Sequence, residues 1–320
     1  MSKSLENPKT NISLVKGTRI GDYSIYKKLS AGGFSMVYLA YGLDGMPVAI
    51  KEYFPGYLHL RQRGTQINFI NMREKHKFQE GLKLFKHEME IIMRLKHRNI
   101  IEIVDFIEQN GTAYILMPYE YGMTLSRFIS QDDLTEQEII PVVMGIFSAV
   151  HTFHQNGIIH LDIKPGNIWL RPDKEALILD FGTARTEEDS AKTKSAPMHT
   201  PGYAAPEQHK QYFAPDRIGF WCDYYALGAT LYALIEKQAP KPSCDIMDAG
   251  AKINFIYRRR GQVSMHLLEI AEELMTLEWD ERKKIDLGEV INRIGKIRPI
   301  TPMHTMVENL MPIRVPKIKE

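Results

Sequence analysis

The chain has 320 residues, with 41 Lys and Arg against 39 Asp and Glu, a formal charge of +2. That balance gives no electrostatic reason to expect a nucleic-acid or membrane-surface partner, either of which calls for a basic excess or a basic face. Hydrophobic content of 44% and charged content of 25% exclude a disordered, collagen-like or fully coiled-coil chain, and the length exceeds the roughly 250 to 300 residues at which a single core stops growing, so two lobes are expected.

Residues 1 to 19 are polar, contain Pro8 and lack any period, and are read as a flexible leader. From Asp22 to about Lys51, β-type runs beginning at Tyr23, Met36 and Pro47 are separated by Gly32-Gly33 and Asp44-Gly45, which predicts an antiparallel meander with tight turns. A polar stretch, 61 to 77, precedes a helical stripe over 78 to 96 carried by Leu82, Phe85, Met89, Ile92 and Met93. A further hairpin over 101 to 117, turning at Asn110-Gly111, completes a five-stranded N-terminal unit. Beyond Gly122 helices are expected over 136 to 155, 223 to 237 and 266 to 277, with brief strands near 168 to 170 and 177 to 179. The fold class is therefore α+β, a small antiparallel β lobe plus one helix ahead of a larger α-helical lobe. The boundaries are 20 to 121 for the first lobe, with an insertion at 54 to 77, and 122 to 294 for the second; 295 to 320 is a proline-containing basic tail. Cys222 and Cys244 cannot build a disulfide framework or a four-ligand zinc site, which fits a reducing cytoplasm. The most apolar stretch, 142 to 150, is far shorter than the ~18 residues of a membrane span, and the first sixteen residues lack an apolar signal core. The chain reads as soluble, unprocessed and cytoplasmic.

The most specific segment is His160-Leu-Asp-Ile-Lys-Pro-Gly-Asn167, followed by Asp180-Phe-Gly182 eighteen residues after Asp162. At average residue usage a chain of this length matches its fixed residues by accident roughly once in 10⁴ to 10⁵ sequences. In form and order the two segments resemble the catalytic and metal-binding loops of protein kinases. The resemblance covers about residues 22 to 294, and the Lys51-Glu-Tyr-Phe-Pro run with the insertion after it is similar to a group of bacterial, eukaryotic-like (Hanks-type) serine/threonine protein kinases. It implies the two-lobed protein-kinase-like fold, ATP with Mg²⁺ (or Mn²⁺) as cofactors, and a protein substrate with a Ser or Thr acceptor, the chain itself included. No nucleic acid and no membrane insertion are expected, and the oligomeric state is not legible. Delivery into a host cell finds no residue that argues for it.

The chemistry needs an acceptor hydroxyl held in line, Mg²⁺ to offset charge on the phosphate oxygens, and a cation beside the transferring group. Asp162 would orient the hydroxyl and accept its proton, Lys164 would sit against the γ-phosphate, and Asn167 with Asp180 would give Mg²⁺ hard oxygen ligands. Lysine at 164 resembles the serine/threonine rather than the tyrosine kinases. In Val48-Ala-Ile-Lys51, Lys51 would hold the α- and β-phosphates and Ala49 would lie against adenine. The family's pairing glutamate falls on Glu88, nine residues before His97, and Glu90 is the nearest competitor, about 200° away around the helix.

Residues 29 to 37 occupy the place of the glycine-rich loop, where a missing Cβ lets backbone N–H groups approach phosphate. The nucleotide-binding candidates are Leu29, Ser30, Gly32, Gly33, Ser35, Val37, Ala49, Lys51, Met117, Tyr119 and Glu120. Ser30 and Ser35 replace the first and third glycines of G-x-G-x-x-G, which weakens this motif. Met117 would be the gatekeeper before a hinge, and because Pro118 has no N–H the adenine donor falls to Tyr119 or Glu120. Thr200-Pro-Gly-Tyr-Ala-Ala-Pro-Glu207 resembles the end of the activation segment, with Thr200 bonding Asp162 and Lys164, and Glu207 buried against Arg282. Asp223 would tie down the catalytic loop, a role compatible with an ordinary helix cap. Leucine at 161 replaces the arginine that receives an activating phosphate in many kinases, so phosphorylation of Thr186, Ser190, Thr193 or Ser195 is not expected to switch activity. The insertion reads as a solvated loop rather than a docking element, and Lys192, Lys194 and 258 to 260 as solvated charges. His160 is expected to pack on Phe181 and Ile92. The alternatives are a pseudokinase, which the serine-substituted loop favours and the intact Lys51, Glu88, Asp162, Asn167 and Asp180 oppose, and a small-molecule kinase, which normally lacks the Ala-Pro-Glu segment.

Overall fold

The computed structural model describes residues 13–56, 61, 64–69, 71–192, 196–251, 253 and 263–299, apart from the side chains of Glu88, Ile91, Ala191 and Lys192. Six strands come first or flank the first helix: β1 (Arg19–Ile20), β2 (Tyr23–Ala31), β3 (Ser35–Tyr41), β4 (Pro47–Tyr53), then α1 (Met72–Ile92), β5 (Asp105–Gln109) and β6 (Thr112–Pro118). They form one antiparallel sheet in the order β1-β2-β3-β4-β6-β5. The sheet thus has one short strand more than the five expected. Asn110 and Gly111 both have positive φ, 59° and 77°, the backbone of a two-residue turn whose twist matches the flanking strands.

Register decides what each face of the sheet carries. Val37 pairs with Lys51 and Ala49 with Met117, so these side chains share one face; Tyr38 pairs with Ile50 and Glu52 with Tyr114, and these share the other. The first face meets α1 through Tyr53, whose ring lies 5.0 Å from Phe78 and 5.4 Å from Phe85. The second face is covered by residues of the expected leader and insertion, which at Leu14, Arg61 and Ile67 are packed on the sheet rather than flexible or solvated. Leu14 is buried and its N–H donates to the Tyr38 hydroxyl at 3.2 Å. Arg61 is wholly buried, Ile67 is buried, and the Ile67 N–H donates to the Asn110 carbonyl at 3.2 Å. The helix also starts six residues earlier than its apolar stripe suggests, at Met72, because its first turns are polar and carry no periodic signal; its backbone is entered through Asn71, whose side chain accepts from the Glu74 N–H at 2.9 Å.

The second lobe contains β7 (Met123–Thr124), α2 (Leu125–Gln131), α3 (Glu136–Gln155), β8 (Ile158–Ile159), β9 (Ile168–Leu170), β10 (Ala176–Ile178), β11 (Arg185–Thr186), α4 (Glu187–Lys192), α5 (Phe220–Glu236), α6 (Ser243–Asp248), α7 (Met265–Leu274), α8 (Trp279–Arg282) and α9 (Leu287–Gly295). Helix α3 begins where expected because Thr135 and Glu138 form a reciprocal cap, the Thr135 N–H donating to Glu138 Oε2 at 2.8 Å. Its apolar side, with Ile139, Val143, Ile146, Phe147 and Val150, joins α5, α7 and α9 in one core. Of the expected tail, 295 to 320, residues 300 to 320 lie outside the described residues, as do Thr193, Lys194, Ser195 and residues 258 to 260. No helix among the described residues is long and apolar enough to cross a membrane.

Glu207 and Arg282 meet inside this lobe as expected. Arg282 Nη2 donates to Glu207 Oε1 at 2.5 Å and Oε2 at 2.6 Å, and its Nε donates to the Trp221 carbonyl at 3.1 Å. The pair is sealed from water, so losing one member strands the other. Arg282→Ala should cost about 3–5 kcal/mol of unfolding free energy in urea titration, whereas Glu207→Leu with Arg282→Met should recover most of it; equal losses in the single and double variants would contradict this account.

Candidate active site

Strands β9 and β10 build the site by bringing two distant segments together. Ile168 pairs with Ile178, and the Leu179 N–H donates to the Asn167 carbonyl at 3.1 Å, so Asn167 and Asp180 emerge side by side from adjacent strand ends. The preceding loop is fixed from below by Asp223 in the first turn of α5. One carboxylate oxygen accepts the His160 N–H at 2.8 Å, the other the Leu161 N–H at 2.8 Å. His154, stacked 4.5 Å from Phe220, reaches Asp223 Oδ2 with Nε2 at 2.9 Å, so the ring proton belongs on Nε2. Sequence reading did not single out His154; its only signal is an i to i+6 spacing from His160 that acquires meaning once α5 is in place. The same is true of Gln208, buried, whose side chain accepts from the Ala205 N–H at 3.0 Å and donates to the Leu161 carbonyl at 2.8 Å.

Above that platform three donors converge on the Asp162 carboxylate. Lys164 Nζ lies 2.6 Å from Oδ2, Asn167 Nδ2 lies 2.9 Å from the same oxygen, and the Thr200 hydroxyl donates to Oδ1 at 2.8 Å while accepting from Lys164 at 2.6 Å. Asn167 Nδ2 also donates to the Asp162 carbonyl at 2.9 Å. With its amide nitrogen so committed, Asn167 has its side-chain oxygen as the remaining donor atom. His160 is fully buried and lies 5.3 Å from the Phe181 ring, as expected, and burial lowers its pKa; Ile92 shares an apolar cluster with Phe181.

A second cluster involves Lys51, whose Nζ lies 2.8 Å from Asp180 Oδ1 and 5.8 Å from the Phe85 ring centroid. The Lys51 charge holds the Asp180 carboxyl down to about 2, against the cost of burial, and the Gly182 N–H adds a weaker bond at 3.3 Å. Asp180 is therefore ionised across the physiological range. Glu88 lies on α1 in helical phase with Phe85 and Ile92, but its side chain is outside the described residues. Glu90, the competitor, is exposed and 3.9 Å from His87.

Around these clusters, β2 and β3 turn through Gly32 to Phe34, closed by a Gly32 N–H to Ser35 carbonyl bond of 2.8 Å. Neither Gly32 nor Gly33 has positive φ, and a Cβ at Gly33 would meet nothing within 4 Å. What glycine leaves here is open space above the turn. Ser30 pairs with Val37 across it, and Leu29 is exposed. Met117 is buried on the Lys51 face beside Ala49, while Pro118 ends β6 opposite Val48. Tyr119 packs edge-on against Tyr121 at 5.1 Å. The side chain of Glu120 is engaged by Arg171 through bonds of 2.8 and 2.7 Å.

The site has oxygen ligands of the kind Mg²⁺ requires, one ionised carboxylate and one oriented amide, and so fits the metal that the resemblance implies. Among the described residues no group of three or more His, Cys, Asp and Glu could hold a metal ion.

Comparison with known proteins places this geometry in context. The family model described as "Protein kinase domain" matches residues 23–291. The serine/threonine-protein kinase PrkC of Bacillus subtilis is 31% identical over 228 residues, 70% of this chain and 32% of its own length. The carbon catabolite-derepressing protein kinase of Saccharomyces cerevisiae is 29% identical over 242 residues, 75% of this chain and 34% of its own. The chain thus spans about a third of the length of these curated relatives. A solved structure titled "PpkA-294 apo form" superposes with a TM-score of 0.77 at 31% identity, covering 89% of this chain and all of that one. Catalytic-loop geometry, lobe architecture and sequence match agree, and the chain belongs to the protein kinase domain family.

Proposed function

We propose that the chain transfers the γ-phosphoryl group of ATP to serine or threonine hydroxyls of protein substrates, itself included. The observation that carries this reading is the Asp162 carboxylate with the Lys164 ammonium, the Asn167 amide and the Thr200 hydroxyl all bonded to it. Three donors hold the carboxylate in one orientation. That suits a transition state in which the transferring group is loose and the acceptor hydroxyl gives up its proton late. Lys164, bridging Asp162 and Thr200, is placed to turn toward a phosphate oxygen at the same point. Thr200 lies in the segment that leads to Ala205-Pro-Glu207, so a peptide laid there would bring its hydroxyl to Asp162.

Lys51 would hold the α- and β-phosphates, with Glu88 as its partner. Val37, Ala49 and Met117 share a face of the sheet suited to the adenine ring, with the backbone of Tyr119 and Glu120 at its edge. Gly32, Gly33, Ser30 and Ser35 would cover the phosphates, the two serines adding hydroxyl donors. Mg²⁺, when bound by Asn167 and Asp180, offsets the negative charge of the phosphate oxygens. The intact set of polar partners disfavours the pseudokinase, and the buried Glu207–Arg282 anchor of the peptide-side segment disfavours a small-molecule kinase.

Regulation by activation-segment phosphate lacks its receiver in this reading. Leu161 is buried with φ of 67°, and the Thr186 hydroxyl is spent on capping α4, accepting the Asp189 N–H at 3.1 Å and donating to its carboxylate at 2.7 Å.

Incubation with labelled ATP and a generic protein substrate should place acid-stable label on serine or threonine, and Asp162→Asn should lower that rate about 10²–10⁴-fold with ATP affinity kept. Label from neither protein, with ATP still bound, would favour the pseudokinase. Phosphatase treatment of the purified chain should leave turnover within about twofold, since no arginine precedes Asp162 to read a phosphate; abolished turnover would sink that expectation.

A further inference from the structure

The insertion between β4 and α1 carries an arrangement that the phosphotransfer reading leaves unused. Arg61 and Glu52 are both fully buried. Arg61 Nη1 donates to Glu52 Oε2 at 3.1 Å, its Nη2 donates to Oε1, its Nε donates to the Thr65 carbonyl at 3.1 Å, and its guanidinium lies 4.6 Å over the Phe54 ring. Glu52 Oε2 also accepts from the Tyr38 hydroxyl at 2.8 Å, and that hydroxyl accepts from the Leu14 N–H. Tyr114, held at 3.0 Å by Asn110, lies directly opposite Glu52 on the neighbouring strand. Burial and the Glu52 charge raise the pKa of both tyrosines, so both remain protonated donors.

This is a buried ionic network on the face of the sheet that looks away from the cleft. Its central carboxylate is the immediate neighbour of Lys51, and Tyr53 on the other side of Glu52 packs on α1. A carboxylate taken out of water in this way can rest only where its guanidinium reaches it, so Arg61 fixes where residues 51 to 53 of β4 sit. Backbone pairing with β3 and β6 sets the register of that strand end, and the two-pronged bond adds a side-chain constraint on its exact position.

We propose that Arg61 is a positioning residue for nucleotide binding: through Glu52 it sets the location of Lys51 against Asp180 and of α1 against the sheet, making the insertion a brace behind the ATP site. The brace rests on the reading of Lys51 as the phosphate-holding lysine. A purely structural pair would alter stability and leave the affinity of the folded fraction for ATP untouched.

The test uses the full chain, with KM for ATP and kcat measured at saturating protein substrate and referred to the folded fraction by circular dichroism. Arg61→Ala is expected to raise KM for ATP at least tenfold while kcat falls less than threefold. Should that variant not fold, Glu52→Leu with Arg61→Met removes both charges and keeps the volume; it is expected to fold and to keep a raised KM. An unshifted KM in a folded variant, with the wild type turning over normally, overturns the brace alone. Wild-type protein that binds no ATP overturns the phosphotransfer reading and the brace with it.

Discussion

The catalytic loop depends on a carboxylate it does not contain. Asp223 is buried at the start of α5, and among the described residues its partners are the N–H groups of His160 and Leu161 and the ring of His154. The N-terminal end of a helix eases the burial of its charge. In return the loop is held with Leu161 at φ of 67°, a conformation that costs a side-chain-bearing residue about 1–2 kcal/mol. Two hydrogen bonds to a charged acceptor, each worth about 1.5–3 kcal/mol, more than offset that cost. With the backbone turned this way, Asp162 points up into the cluster of Lys164, Asn167 and Thr200, and Gln208 secures the Leu161 carbonyl that the turn would leave bare.

Each lobe uses one buried carboxylate–guanidinium pair for a similar purpose. In the helical lobe Glu207–Arg282 anchors the segment beyond Thr200, most of which has no regular hydrogen-bonding ladder of its own. In the β lobe Glu52–Arg61 anchors the insertion. Such pairs add little net stability compared with an apolar filling, because both ions lose their water. What they add is uniqueness of position, since a fork of two bonds has one good geometry. Irregular segments need this more than helices do.

The electrostatics of the cleft follow from which charges share it. The Lys51 charge stabilises the ionised form of Asp180, which keeps that carboxyl ready for a cation. His160, close by but buried among Phe153 and Phe181, is pushed toward its neutral form by burial and acts as packing between the loops. Thr183 ties the loops together again, its hydroxyl donating to the His160 carbonyl at 2.9 Å.

Much was readable along the chain, because some constraints are local. Helix α3 follows its apolar pattern over 136 to 155, and Asn110-Gly111 can hardly be anything but a hairpin turn. The spacing of Asp162, Lys164 and Asn167 within one short loop brings their side chains to one place before any long-range packing is considered, and the partners Glu207 and Arg282 follow from the resemblance of residues 200 to 207 to the end of a kinase activation segment. What the chain could not declare was the far side of the sheet. Polar residues 61 to 66 have the composition of a solvated loop, and only tertiary structure decides that Arg61 is buried, because the carboxylate it answers lies on a strand whose outward face had no visible cover. For the same reason His154 and Gln208 stayed silent: a hydrogen bond between residues some fifty or seventy positions apart leaves no period in the sequence, and the fold alone brings donor to acceptor.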